Sequence, residues 1–342
     1  MLKIHQSAWL LVVLSAALQI LVFPLPNLYM LGWVAVAPLL IGLLRSRQPD
    51  TLQLQGGIKL RPATPWQGFL LAYVCGILWY AGTCYWIYST MRQYGGVSAP
   101  LGVLILLLFS MYLALYHGAF GLVISLLARR SSSDRLALLA APAAWVALEL
   151  ARARITGFPW DLLGISQVDN VSLARIATAT GVYGLSFEIM VVNVALAAAF
   201  LVRREKRRTL LLAALGAVVV LQSARWIELP SSPTDHTALL IQQNIPVLDN
   251  ADWTREYFDD TLQDLSSISL TAELQNSAVQ NRSPASLQRP SLIVWPESPA
   301  PFYTADPIFR RAVTNLALRC GFGAAPGALS FPLAASTMRH HM

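Results

Sequence analysis

Residues 1–225 alternate between long apolar runs and short polar loops. Seven runs stand out, at about 7–23, 28–44, 66–89, 98–127, 136–150, 183–202 and 209–225, the fifth being short. A bilayer crossing needs about 20 mostly apolar residues, because lipid offers the backbone no hydrogen-bond partners and a helix satisfies them internally. The pattern therefore predicts a polytopic bundle of about seven helices over residues 1–226. Lys3 and His5 precede the first run in the manner of a signal peptide. No small-x-small cleavage site follows, and Phe23-Pro24-Leu25-Pro26-Asn27 turns straight into the next run, so a retained helix is expected.

Composition sharpens this picture. Of 342 residues, 55% are hydrophobic and only 13% charged, and the mean hydropathy is +0.51. A soluble domain carries about 25% charged residues, so a wholly soluble protein is excluded. The net charge of +7 arises from short basic clusters between apolar runs rather than from one basic face, so no nucleic-acid partner is expected. No metal or cofactor is expected either. Cys75, Cys84 and Cys320 are few and scattered, and His340-His341 lack a third ligand.

The basic clusters also set orientation, since Lys and Arg stay on the cytoplasmic side. Every second loop is basic: Arg45, Arg47, Lys59 and Arg61, then Arg129, Arg130 and Arg135, then Arg203, Arg204, Lys206, Arg207 and Arg208. A cytoplasmic N-terminus and seven crossings place everything after Trp226 on the opposite side, the periplasm of a double-membraned bacterium. A transporter would require charged residues buried within the helices, and the runs have almost none. Between runs five and six, Gly157-Phe158-Pro159-Trp160 and Gly164-Ile165-Ser166-Gln167 suit a non-helical or re-entrant interfacial loop. Two readings stay open for it, an anchor held by Trp160 and part of a lipid-entry site.

The pattern changes near residue 227. Pro230-Ser231-Ser232-Pro233 marks a linker over 227–236, since proline stops helices. Residues 237–245 form an apolar run fit for a buried strand. From Asp252 the pattern turns helical, with Trp253, Tyr257, Phe258, Leu262, Leu265 and Ile268 spaced mostly by three and four, and residues 275–290 read as a polar loop. Ser291 to Trp295 then forms an apolar strand running into Pro296 and Glu297, and residues 307–319 another helix. Strand, helix and strand make a βαβ unit, whose strand ends are where such folds place chemistry. Glu297 is thus either a catalytic carboxylate or a cap of the strand end or following helix.

These residues resemble the bacterial apolipoprotein N-acyltransferase family. The matching pieces are Gly157 to Trp160, Gly164 to Gln167, Gln242-Gln243-Asn244-Ile245-Pro246, Trp253, and Ile293-Val294-Trp295-Pro296-Glu297-Ser298, in the family's order and spacing, over residues 1 to about 320. The resemblance implies an inner-membrane protein with a carbon–nitrogen hydrolase domain, a nitrilase-like αββα sandwich, on the periplasmic face. It implies a Glu, Lys and Cys triad. The Cys takes an acyl chain from a phospholipid such as phosphatidylethanolamine as a thioester and passes it to the α-amino group of a lipoprotein's N-terminal diacylglyceryl-cysteine. On that scheme Glu297 is the general base, and Trp253 places its indole near the substrate; the other reading of Trp253 is the first apolar residue of an amphipathic helix.

The chain departs from the family after Glu297. Residues 298–342 hold no Lys and only one Cys, Cys320, which closes a helical stretch where the family has no nucleophile. Residues 237–320 thus read as the N-terminal part of the hydrolase domain. Residues 321–342, with five Ala, three Gly and no acidic residue, read as an aberrant tail such as a frameshift produces. The expectation is an incomplete α/β domain, prone to aggregate at its exposed strand edges and inactive as given. Two other functions remain open, a non-catalytic membrane remnant and a membrane-fused amidase or nitrilase.

Overall fold

The computed structural model describes residues 4–47, 61–130, 134–201, 204–222, 226, 238–244, 254–282, 292–296 and 306–320. The chain divides into two compact units, Met1–Pro230 and Ser231–Met342.

The first unit is helical. Its helices are α1 (Gln6–Val22), α2 (Ala37–Leu44), α3 (Pro65–Thr83), α4 (Trp86–Gln93), α5 (Ala99–Arg130), α6 (Asp134–Ile155), α7 (Val171–Leu201) and α8 (Arg204–Gln222). Short 3-10 turns at Tyr29–Trp33 and Leu163–Gln167 interrupt the series. Each of the seven apolar runs contains helix. Among the described residues α5, α6 and α7 are long and apolar enough to cross a membrane, and the pair α3 and α4, bent by 50°, can make a fourth span. The stretches Gln6–Val22 and Tyr29–Leu44 are shorter apolar helices.

Two boundaries differ from the sequence pattern. Helix α6 continues to Ile155, so Arg152 and Arg154 belong to it and not to the loop. Helix α7 begins at Val171 rather than near 183. Gly181 breaks it with φ 66°, a left-handed conformation open to glycine, and the apolar run occupies the part after the break.

The core packs α1, α2 and α3 against α5, α6 and α7, with Val12, Leu39, Leu40, Leu43, Leu71 and Ile124 fully enclosed. Helix α3 opens with a capping box. Thr64 Oγ1 accepts from the Gln67 backbone N–H, and Gln67 Oε1 accepts from the Thr64 N–H, satisfying two donors that a helix start leaves free. Where α3 crosses α5, backbone meets backbone at Gly68 and Gly121.

The second unit contains β1 (Ala238–Leu240), α9 (Arg255–Arg282), β2 (Leu292–Val294) and α10 (Pro307–Arg319). The strands pair in parallel, with Leu239 opposite Ile293, so β1, α9 and β2 form the expected βαβ unit. The expected loop at 275–290 is helical as far as Arg282. Glu273, Leu274, Gln275, Ala278 and Gln280 are good helix formers, and polarity alone does not end a helix. The strands are less buried than expected: Leu240, Leu292 and Val294 are exposed. A small core joins Phe258 and Leu262 of α9 to Phe309 of α10, with Trp295 against it. Asp306 caps α10, its Oδ1 accepting from the N–H groups of Ile308 and Phe309 at 2.7 and 3.2 Å. Asp306→Ala is expected to cost about 1 kcal/mol, read as a lower denaturant midpoint for this unit's helical signal; an unchanged midpoint would show that the cap contributes nothing.

Candidate functional site

In the second unit, parallel pairing brings the C-terminal ends of β1 and β2 together, the end at which α/β folds place their chemistry. The Ile241 N–H donates to the Val294 carbonyl at 2.9 Å, extending the ladder. Gln243 Nε2 donates to the Thr261 carbonyl of α9 at 3.3 Å. Trp295 Nε1 donates to Ser269 Oγ at 3.0 Å, and its ring stands edge-on to Phe309 with centroids 6.4 Å apart. Trp295 thereby fixes the strand end against both helices. Glu297 and Trp253 lie outside the described residues, as do Ile245, Pro246 and Ser298; Pro296 and Thr254, their neighbours, are described. Cys320 is buried at the end of α10, where burial and then the Glu273 carboxylate push its thiol pKa up, the wrong direction for a nucleophilic thiolate.

In the first unit, both family-like loop pieces are ordered. Gly157 and Asp161 take φ of 65° and 55°, folding residues 156–162 into a tight non-helical loop that leads into the turn Leu163–Gln167. Hydrogen bonds hold this segment and the residues just after it. Glu149 Oε1 accepts from the Leu163 N–H at 2.7 Å, and Arg152 Nη2 donates to the Asp161 carbonyl at 3.2 Å. The Gly164 N–H donates to Ser186 Oγ at 2.8 Å, and Gln167 Nε2 to the Tyr29 carbonyl at 2.7 Å. Thr156 Oγ1 donates to the Arg152 carbonyl, and Asn27 Nδ2 to Asp169 Oδ2 at 2.7 Å. Burial pushes the Asp161 carboxyl pKa above its ordinary range, with the Arg152 guanidinium opposing the shift.

Beneath the loop, Trp79, Tyr80, His117, Trp145, Glu149 and Arg152 line a small pocket between α3, α5 and α6. The His117 ring lies 4.8 Å from that of Trp79 and 5.1 Å from that of Trp145. Trp145 Nε1 donates to Glu149 Oε1 at 2.9 Å. This cluster corrects the sequence expectation that the helices hold almost no charge. Glu149 and Arg152 are both buried within α6. Their spacing of three residues inside an apolar helix, which places both on one face, was the available signal. The apolar run ends at residue 150, so along the sequence Arg152 falls among the loop charges.

The family described as "Apolipoprotein N-acyltransferase N-terminal domain" matches residues 15–195. An apolipoprotein N-acyltransferase of Geobacter metallireducens is 32% identical over 324 residues, 92% of this chain and 56% of that protein. One of Nitrosomonas europaea is 32% identical over 218 residues, covering 62% of this chain and 42% of the relative. One of Coxiella burnetii is 35% identical over 138 residues, 40% of this chain and 27% of the relative. The chain thus spans about half or less of the length of these relatives.

Proposed function

Because the chain belongs to the apolipoprotein N-acyltransferase family, we propose that it serves the N-acylation of bacterial lipoproteins at the inner membrane. Its membrane unit would receive the phospholipid, and its second unit would begin a nitrilase-like catalytic domain on the periplasmic side. The alignment with the Geobacter acyltransferase, which runs through both units and covers 92% of the chain, is the observation that carries this reading.

The proposed chemistry has two displacements. A Cys thiolate attacks the ester carbonyl of the phospholipid, forming a thioester and releasing the lysophospholipid. The free α-amino group of the diacylglyceryl-cysteine then attacks the thioester, forming the amide and returning the thiol. Splitting amide formation this way replaces one difficult step by two easier ones. Glu297 would take the thiol proton and later the amine proton, and Trp253 would stand beside the substrate. The paired C-terminal ends of β1 and β2, where α/β folds place their chemistry, support this role for a carboxylate that follows β2 in the sequence. Within these 342 residues no Lys follows Glu297, and the one Cys that does is the buried Cys320. The chain purified alone in phosphatidylethanolamine vesicles is therefore expected to take up no acyl group.

Glu297 is tested in the cell, with the gene and the DNA downstream of it in place as the sole copy. Glu297→Gln is expected to slow triacylation by about 10²–10⁴-fold, read by mass spectrometry as loss of the triacylated lipoprotein N-terminal peptides. Unchanged triacylation would remove Glu297 from the mechanism. Release of ammonia from small amides with no effect on lipoproteins would favour the amidase instead.

A further inference from the structure

We propose that Glu149 and Arg152 are positioning residues that lock the Gly157–Leu163 loop, so that Trp160 is held out where the acyl chains of the donor lipid pass; the lipid's part rests on the function proposed above. The two side chains sit one turn apart on the same face of α6 and reach Asp161 and Leu163, at the C-terminal side of the loop. Glu149 takes the Leu163 N–H, the donor that opens the following turn, while Arg152 gives a hydrogen bond to the Asp161 carbonyl. The Arg152 guanidinium also lies over the rings of Tyr80 and Phe158, at 5.5 and 5.9 Å from their centroids. Phe158 is thereby held down, and its ring also meets Phe109 edge-on at 5.1 Å. Two residues further on, Trp160 is 55% exposed, its ring 4.9 Å from that of Phe158. A buried residue under the guanidinium and an exposed indole beside it make a fixed display rather than a loose loop.

The cluster is built in a way that packing alone does not require. Arg152 is only 2% exposed and Glu149 6%, and charges so buried are costly unless fully paired. The two nevertheless make no ion pair with each other. Each spends a hydrogen bond on the loop backbone, leaving Glu149 Oε2 and Arg152 Nη1 without a hydrogen-bond partner. Apolar side chains of similar size would fill the same space, but they offer no group to hold either the Leu163 N–H or the Asp161 carbonyl.

The test uses the full chain in phospholipid nanodiscs with a nitroxide on Trp160→Cys; Cys75, Cys84 and Cys320 are buried and label poorly. The parent should give a motionally restricted spectrum, with the label more accessible to lipid-soluble oxygen than to an aqueous nickel chelate. Glu149→Leu and Arg152→Met should each raise label mobility several-fold. Glu149→Gln, which keeps an oxygen for the Leu163 N–H, should retain the restricted spectrum. Asn193→Ala, a destabilising change that removes no hydrogen bond to residues 157–163, should lower the melting temperature without mobilising the label. If Glu149→Leu does not fold, Arg152→Met reads the other contact alone. Restricted spectra in the folded Leu and Met variants, equal mobilisation by Asn193→Ala, or a label open to the nickel chelate and closed to oxygen would each overturn the proposal. Failure of Glu297→Gln to change triacylation would instead end the acylation reading and leave these spectra as they are.

Discussion

Gly121→Leu is expected to abolish the folded membrane unit, and Gly121→Ala to cost about 1–3 kcal/mol, the usual cost of overpacking. A Cβ on Gly121 would fall on the Gly68 carbonyl oxygen and stand 2.6 Å from Ala72 Cβ. The clash is reciprocal, since a Cβ on Gly68 would meet Ser125 Oγ and the Gly121 carbonyl. At Gly121 the nearest obstacle is the Gly68 carbonyl, backbone that cannot swing aside as a side-chain tip can. Close approach of this kind is how helices associate in lipid, where no hydrophobic force drives them together and packing must supply the attraction. A Cβ on Gly76, four residues from Ala72, would stand 2.8 Å from His117 Cβ and 3.0 Å from Ala114 Cβ of α5, so the close approach continues along both helices. The measurement is the fraction of monodisperse protein left after heating in detergent. A Gly121→Ala protein that melts with the parent would show that α3 and α5 can separate without penalty.

Asn193→Leu is expected to cost about 2–6 kcal/mol, on the basis that each buried polar group left unpaired costs about 1–3 kcal/mol. Asn193 is fully buried in α7 and uses its whole amide. Its Oδ1 accepts from the N–H groups of Val36 and Ala37 at 2.8 and 2.9 Å, and its Nδ2 donates to the carbonyls of Gly32 and Ile189, both at 2.9 Å. Helix α2 has no side-chain cap of its own, so its first donors are satisfied from another helix. Leucine would orphan the Val36 N–H and the Gly32 carbonyl, whereas Ala37 keeps a 3.2 Å bond to the Val34 carbonyl. Asn193→Asp, which keeps the acceptor and loses the donor, should lie between parent and leucine in a thermal melt. A leucine variant as stable as the parent would mean that water reaches these groups.

The apolar runs located the helices of the first unit because lipid imposes a single rule, that a backbone crossing it must pair with itself, and that rule leaves a mark about 20 residues long. The marks failed where the rule is weaker. The short run at 136–150 stopped before Glu149 and Arg152 could be seen as neighbours on a helix, although α6 continues to Ile155. Val171 to Thr180 is helical although its pattern is that of a loop, because its Arg, Ser and Thr residues weaken the apolar signal while leaving helix formation possible. In the second unit the βαβ order was legible from strands and helix alike. Residues 276–282 were not, since Asn, Ser and Gln are common to loops and to exposed helix faces.

Sequence by itself determined the membrane character of residues 1–226, the change of pattern near 227, the parallel strand–helix–strand order and the family to which the chain belongs. These depend on composition, periodicity and local motifs, all of which are local along the chain. Only the tertiary structure decided that Asn193 caps a helix more than 150 residues away, that Gly68 and Gly121 occupy each other's Cβ space, and that a carboxylate and a guanidinium on α6 hold the loop at 157–163. Those pairings join groups distant in sequence or aimed by a loop's backbone. They exist only once helices have packed to within hydrogen-bond reach, a distance that no pattern along one chain encodes.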